Sequence, residues 1–130
     1  MSENEKPVLI VLDTSAILAY ARGSIHVGEP MAEVDTDGGV VGLPALCLTE
    51  ASWMVDDMDR LALLTDHHAT RVVTTEGNWA GIGENLNVTG RLDSASAVLA
   101  AVRADCDVLT AQPGLYGGMA GSGPVIPIPR

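Results

Sequence analysis

The chain has 130 residues and a mass of 13.5 kDa, the length of one domain that buries roughly two-thirds of its unfolded surface. Apolar residues make up 47 %, aromatics only 3 %, and Phe is absent; this excludes a disordered chain and disfavours an aromatic-rich β-sandwich. Seventeen acidic against seven basic residues leave a net charge of −10, which excludes non-specific coating of nucleic acid but not a nuclease whose acidic site is offset by metal ions.

Val8–Leu12 (VLIVL) is a continuous apolar, β-branched run. It reads as a central parallel strand buried on both faces. Asp13-Thr14-Ser15 follow, residue types that cap helix starts, and lead into a helix that Gly23 ends. Residues 27–34 read as a short helix closed by a turn at residues 35–39. Val40 to Leu43 read as a second strand, and Pro44 as the first position of a helix over residues 45–55. Asp56, Asp57 and Asp59 precede a helix at residues 61–64. Residues 71–75 are rich in β-formers. Residues 76–89 hold three glycines and three asparagines and read as a weak helix. The clearest helix covers residues 91–104, with Leu92, Ala95, Val98, Leu99 and Val102 at helical spacing. Residues 107–111 read as a strand that Gln112-Pro113-Gly114 breaks. Residues 117–124 read as a loop, and residues 125–128 as an edge strand, because of their prolines. Strands alternating with helices predict a single α/β domain over residues 1–130. The architecture expected is a three-layer α/β/α sandwich with a mainly parallel central sheet.

No apolar run reaches ~18 residues, so no membrane span is expected. Residues 1–6 have no basic stretch leading into an apolar one, so no signal peptide is expected. Cys47 and Cys106 each sit in an apolar segment. That disfavours a disulfide or zinc cluster and fits a reducing, cytoplasmic setting.

Ligands in open α/β sheets bind beyond the carboxyl ends of the strands, near the point where strand order reverses. The first strand delivers Asp13 to such an end. A carboxylate emerging there needs a capping bond, a partner or a metal, and the plainer reading is a helix cap. Glu50 lies within an otherwise apolar helix, and Asp93 opens the clearest one. Each alone reads as a solvated or helix-start charge. Together, three separated carboxylates at element ends suit a hard divalent cation, magnesium or manganese.

Residues 8–20, VLIVLDTSAILAY, resemble the opening of a PIN domain. Residues 43–51, LPALCLTEA, resemble its second acidic block. Residues 92–116, LDSASAVLAAVRADCDVLTAQPGLY, resemble the third, and residues 125–129 the closing strand. Chain length is similar to that of VapC-type toxins. The resemblance implies a Mg2+- or Mn2+-dependent endoribonuclease acting on RNA phosphodiester bonds, and the toxin of a type II toxin–antitoxin pair. It also implies an antitoxin partner and a homodimer. Position by position, Asp13, Glu50 and Asp93 match the first three acids, as both metal ligands and catalytic residues. Ser15 matches the supporting hydroxyl and Thr110 the hydroxyl before the fourth acid. Gln112 departs from the pattern, which has Asp there; an amide accepts a hydrogen bond but adds no charge. Asp105 and Asp107 precede their strand and are expected at the opposite end of the sheet. The alternative reading is a catalytically impaired PIN-like binding or regulatory module.

Arg22 and Arg91, each near an acidic motif, are the candidate phosphate contacts, since guanidinium binds phosphate in bidentate fashion. His67 and His68 read as helix-end residues rather than ligands. Gly81-Ile82-Gly83 lacks the last glycine of a dinucleotide fingerprint and is rejected as one. Trp53 and Trp79 read as core or half-buried residues rather than partner anchors.

Overall fold

The computed structural model describes residues 5–74, 77–117 and 125–129. The elements in chain order are β1 (Val8–Leu12), α1 (Thr14–Ala21), α2 (Ile25–Thr36), β2 (Val40–Pro44), α3 (Ala45–Met54), α4 (Met58–Thr65), β3 (Thr70–Val73), α5 (Trp79–Thr89), α6 (Leu92–Ala104) and β4 (Asp107–Thr110). A 3-10 turn at Pro113–Tyr116 and β5 (Val125–Pro127) complete them. The five strands form one parallel sheet of order β3-β2-β1-β4-β5.

That order explains the layers. The chain steps from β1 outward to β2 and β3, then returns to the other side of β1 for β4 and β5. Right-handed crossovers in opposite directions put their helices on opposite faces. The result is the expected three-layer α/β/α sandwich. The reversal falls between β1 and β4, so the carboxyl ends of these two strands flank the switch point.

β1 is central, as its sequence predicts, but only Ile10, Val11 and Leu12 are buried. The β1–β2 register shifts between Val8 and Ile10, and Leu9 turns outward, 38 % exposed. Pro44 is the last residue of β2 rather than the first of α3; its ψ of 133° is extended. α2 runs past the predicted 27–34 at both ends, from a Ser24 cap to Thr36, and Gly38 (φ 80°) closes it in place of the longer predicted turn. The weakly predicted helix exists as α5. Gly81 lets it lie close to α6: a Cβ there would sit 3.1 Å from Leu99 Cδ1. The glycine serves the closeness of that packing.

The core is aliphatic, with Leu12, Ile17, Leu43, Leu64 and Leu109 among its fully buried members. Each such side chain contributes about 1.5–3 kcal/mol on burial. The inward face of α6 differs from the predicted stripe. Leu92 and Val102 are about 60 % exposed, while Asp93, Ser94, Ala95, Ser96, Ala97, Val98 and Ala101 are buried. Small side chains bring this helix close to β1, β2 and β4, so the wide aliphatics are displaced outward and Asp93 is carried in. Trp53 and Trp79, expected in or near the core, are 71 % and 80 % exposed. Residues 118–124 of the predicted loop, and Thr75 and Glu76 of the predicted β3 and α5, lie outside the described residues. No helix among the described residues is long and apolar enough to cross a membrane.

Candidate active site at the β1–β4 switch point

Asp13 stands where β1 hands over to α1 and caps that helix, as its sequence neighbours predict. Its Oδ1 accepts from the Ala16 N–H at 3.0 Å and from the Ser15 hydroxyl at 2.7 Å. Its Oδ2 accepts from the Tyr116 hydroxyl at 2.6 Å. The residue is 2 % exposed, so the carboxylate is buried yet satisfied. By lone-pair count Oδ1 is full and Oδ2 retains one acceptor site.

Ser15 and Thr110 tie the ends of β1 and β4 together. The single proton of Ser15 goes to Asp13, so the 3.2 Å contact between the two hydroxyls has Thr110 as donor. Ser15 also accepts from the Ala111 N–H at 2.9 Å, and Thr110 accepts from the Gln112 N–H at 2.9 Å. Both hydroxyls are thus held in a hydrogen-bond chain that links Asp13 to the start of the segment after β4.

Asp93 enters from the first turn of α6. Its Oδ2 accepts from the Thr14 hydroxyl at 2.6 Å, and its Oδ1 from Arg91 Nε at 3.0 Å. Burial pushes this carboxyl upward, but the Thr14 and Arg91 bonds and the Arg91 charge outweigh it and hold the group below its ordinary value. The Asp93 bond and charge raise the Arg91 guanidinium in turn.

Glu50, on α3, is half-buried and reaches the same guanidinium. Arg91 Nη2 lies 3.3 Å from Glu50 Oε1 and 3.4 Å from Asp93 Oδ2. The other Glu50 oxygen accepts from Trp53 Nε1 at 3.1 Å, so the exposed indole has a role on its own helix. The Arg91 side chain is 45 % exposed. It is engaged with carboxylates rather than standing free for phosphate.

The three carboxylates therefore reach one edge of the sheet without sharing one point. Asp13 turns to Tyr116, while Glu50 and Asp93 turn to Arg91. Among the described residues no group of three or more His, Cys, Asp or Glu side chains is gathered closely enough to hold a metal ion. Glu50 and Asp93 supply hard oxygen donors, and one nitrogen of Arg91 touches both.

A cavity of about 500 Å³ opens at this edge, lined by Asp13, Ser15, Arg22, Arg91, Asp93 and Gln112 among others. Arg22 is exposed, and its guanidinium has no ion pair among the described residues. Gln112 is exposed at the rim. Asp107 opens β4 and Asp105 ends α6 with φ 55°. Both lie at the far end of the strand from Thr110, as expected.

Tyr116 and Thr14 are the site residues that sequence reasoning missed. The available signal for Tyr116 was chemical: a tyrosine in a chain with so few aromatics, once buried, needs a polar partner for its hydroxyl. Burial and the adjoining Asp13 carboxylate push that hydroxyl well above its ordinary range. Cys47 lies beneath the site, its thiol donating to the Asp93 carbonyl at 3.2 Å. Burial, with Asp13 next, raises it to about 12. It is a packed donor, not a nucleophile. Both cysteines are free thiols.

His67 and His68 follow the C-terminal end of α4, which closes at Asp66. His67 Nδ1 accepts the Ala69 N–H at 3.0 Å, and His68 Nε2 meets Asp35 on α2 at 2.8 Å.

A scan against protein-family models gives no match to this chain, and a search of the curated proteins gives none either.

Proposed function

We propose that the chain is a PIN-like ribonuclease domain that binds RNA phosphate at the cavity between β1 and β4 and hydrolyses the phosphodiester with a divalent ion. The observation that supports this most is positional. The residues of the PIN resemblance, Asp13, Ser15, Asp93 and Thr110, arrive at the β1–β4 reversal of an all-parallel sheet. A magnesium or manganese ion, when bound, supplies Lewis-acid stabilisation of phosphoryl charge and a water of lowered pKa. Glu50 and Asp93 are the side chains that would hold it.

The remaining residues have roles that need no ion. Thr14 fixes Asp93 by its 2.6 Å bond. Ser15, the Ala16 N–H and Tyr116 fix Asp13 and leave one acceptor site on Oδ2. That site can accept a hydrogen bond from water. Arg22, at the cavity wall, is the candidate phosphate contact. An antitoxin partner and a homodimer belong to the same proposal through the resemblance.

A second reading, a binding module without cleavage, is favoured by Gln112 at the fourth acidic position and by Arg91 across two of the acids. Incubation with structured and single-stranded RNA in Mg2+ or Mn2+ separates the two. Cleavage that Asp13→Asn and EDTA both abolish supports the nuclease. A folded protein that retains RNA but leaves it intact supports the module.

A further inference from the structure

We propose that Arg91 is a built-in cation of this site, competing with a divalent ion for Glu50 and Asp93. The inference rests on the reading of that pair as cation ligands. Three observations carry it. First, the guanidinium is bound at two atoms, Nε to Asp93 Oδ1 and Nη2 to both Asp93 Oδ2 and Glu50 Oε1, at 3.0, 3.4 and 3.3 Å. Second, the acids it joins come from different elements, α3 and α6, 43 positions apart in the sequence as their numbers show; the pair thus has a tertiary origin. Third, the two ends of the contact differ in freedom. The Asp93 side chain is 8 % exposed and fixed by Thr14, whereas Arg91 is 45 % exposed.

The chemistry follows from lone pairs. With Arg91 in place, Asp93 spends acceptor capacity on both oxygens and Glu50 on Oε1. A divalent ion needs those same oxygens, and a guanidinium beside it adds like-charge repulsion. Loading the site therefore requires Arg91 to leave. Its half-exposed side chain can do so while Asp93 stays where Thr14 holds it. Arg91 precedes α6 in extended conformation (φ −138°, ψ 136°), so a change of side-chain rotamer suffices and no helix turn has to open. Once released, Arg91 remains at the wall of the cavity that Arg22 also lines, free to pair with an anion there.

The test is binding of Mn2+ alone, by calorimetry, to the full chain and to Arg91→Gln and Arg91→Lys. Circular dichroism and urea titration establish that each is folded. Arg91→Gln is expected to bind Mn2+ at least about tenfold more tightly than the wild type. Arg91→Lys keeps the charge but loses the forked geometry and should fall between them. In the wild type, the Arg91 Nε–H resonance should move as Mg2+ is added. If the wild type binds Mn2+ and neither variant binds more tightly, Arg91 is no competitor and the inference fails, while the cation reading stands. If neither the wild type nor a folded Arg91→Gln binds at millimolar Mn2+, the inference and the cation reading both fall.

Discussion

The hydroxyl of Tyr116 donates a 2.6 Å hydrogen bond to Asp13 Oδ2, and both residues are buried, at 1 % and 2 % exposure. This bond joins the turn after β4 to the end of β1 across 103 positions of sequence. Together with the Ser15–Thr110 contact it ties the carboxyl ends of β1 and β4 at the switch point. Tyr116→Phe keeps the ring packing and removes only the donor. A bond to a charged acceptor contributes about 1.5–3 kcal/mol, and its loss leaves a buried carboxylate short of a partner. The expected loss of stability lies in that range, read as a lower urea midpoint with an unchanged slope. A change below about 0.5 kcal/mol would show that water replaces the phenol at no cost.

Asp93 predicts the acid limb of the stability curve. Its folded-state carboxyl titrates below the ordinary value of 3.8 because Thr14 and Arg91 outweigh the upward push of burial. The unfolded chain then takes up the proton first as pH falls. The stabilisation is complete above the ordinary Asp range and is lost as pH drops through the lowered value. Asp93→Asn should flatten the fall in urea midpoint between about pH 5 and about pH 2, relative to the wild type. Arg91→Gln should reproduce part of that flattening. An acid limb identical in Asp93→Asn and wild type rules out this carboxyl as its source.

The thiols give a test independent of the acids. Burial raises Cys47 to about 12 and Cys106, with Asp107 and Asp105 adding to it, to about 11. At pH 8 both thiols stay protonated in the folded chain, Cys47 the more firmly. A disulfide reagent at that pH should label Cys106 slowly and Cys47 only as the chain unfolds. Counting modified sites by mass with and without urea checks this. Fast labelling of Cys47 in the folded chain would mean that α3 opens locally above Asp93.

The strands were legible because a parallel sheet writes itself as apolar runs; 8–12, 40–43 and 107–111 all hold strands close to their predicted bounds. Asp13 was legible because a cap is a local event. What escaped depends on contacts between distant elements. The burial of Asp93 follows from the close approach that Ser94, Ala95 and Ala97 allow α6, so the aliphatic spacing of Leu92 and Val102 pointed to the wrong face. Arg91 looked like a free phosphate contact until α3 brought Glu50 beside it. The exposure of Trp53 and Trp79 was equally hidden, since residue type alone does not tell the outer face of a helix from the inner.

Gln112 carries the last prediction. Its backbone N–H is committed to Thr110 Oγ1, but its side chain is exposed at the rim of the cavity that Asp13 and Asp93 line. Gln112→Asp adds one negative charge there without touching the core. Two effects should appear together. Repulsion with Asp13 should lower stability by under about 1 kcal/mol at low salt and vanish as salt is raised. The same charge should tighten Mn2+ binding by roughly tenfold, and RNA cleavage should rise with it. Combined with Arg91→Gln, the affinity should exceed that of either variant alone, because one substitution supplies negative charge and the other removes a competing cation. Should Gln112→Asp alter neither Mn2+ affinity nor the salt dependence of stability, the rim position lies outside the field of the acids. The resemblance at the fourth acidic position would then have no physical content in this chain.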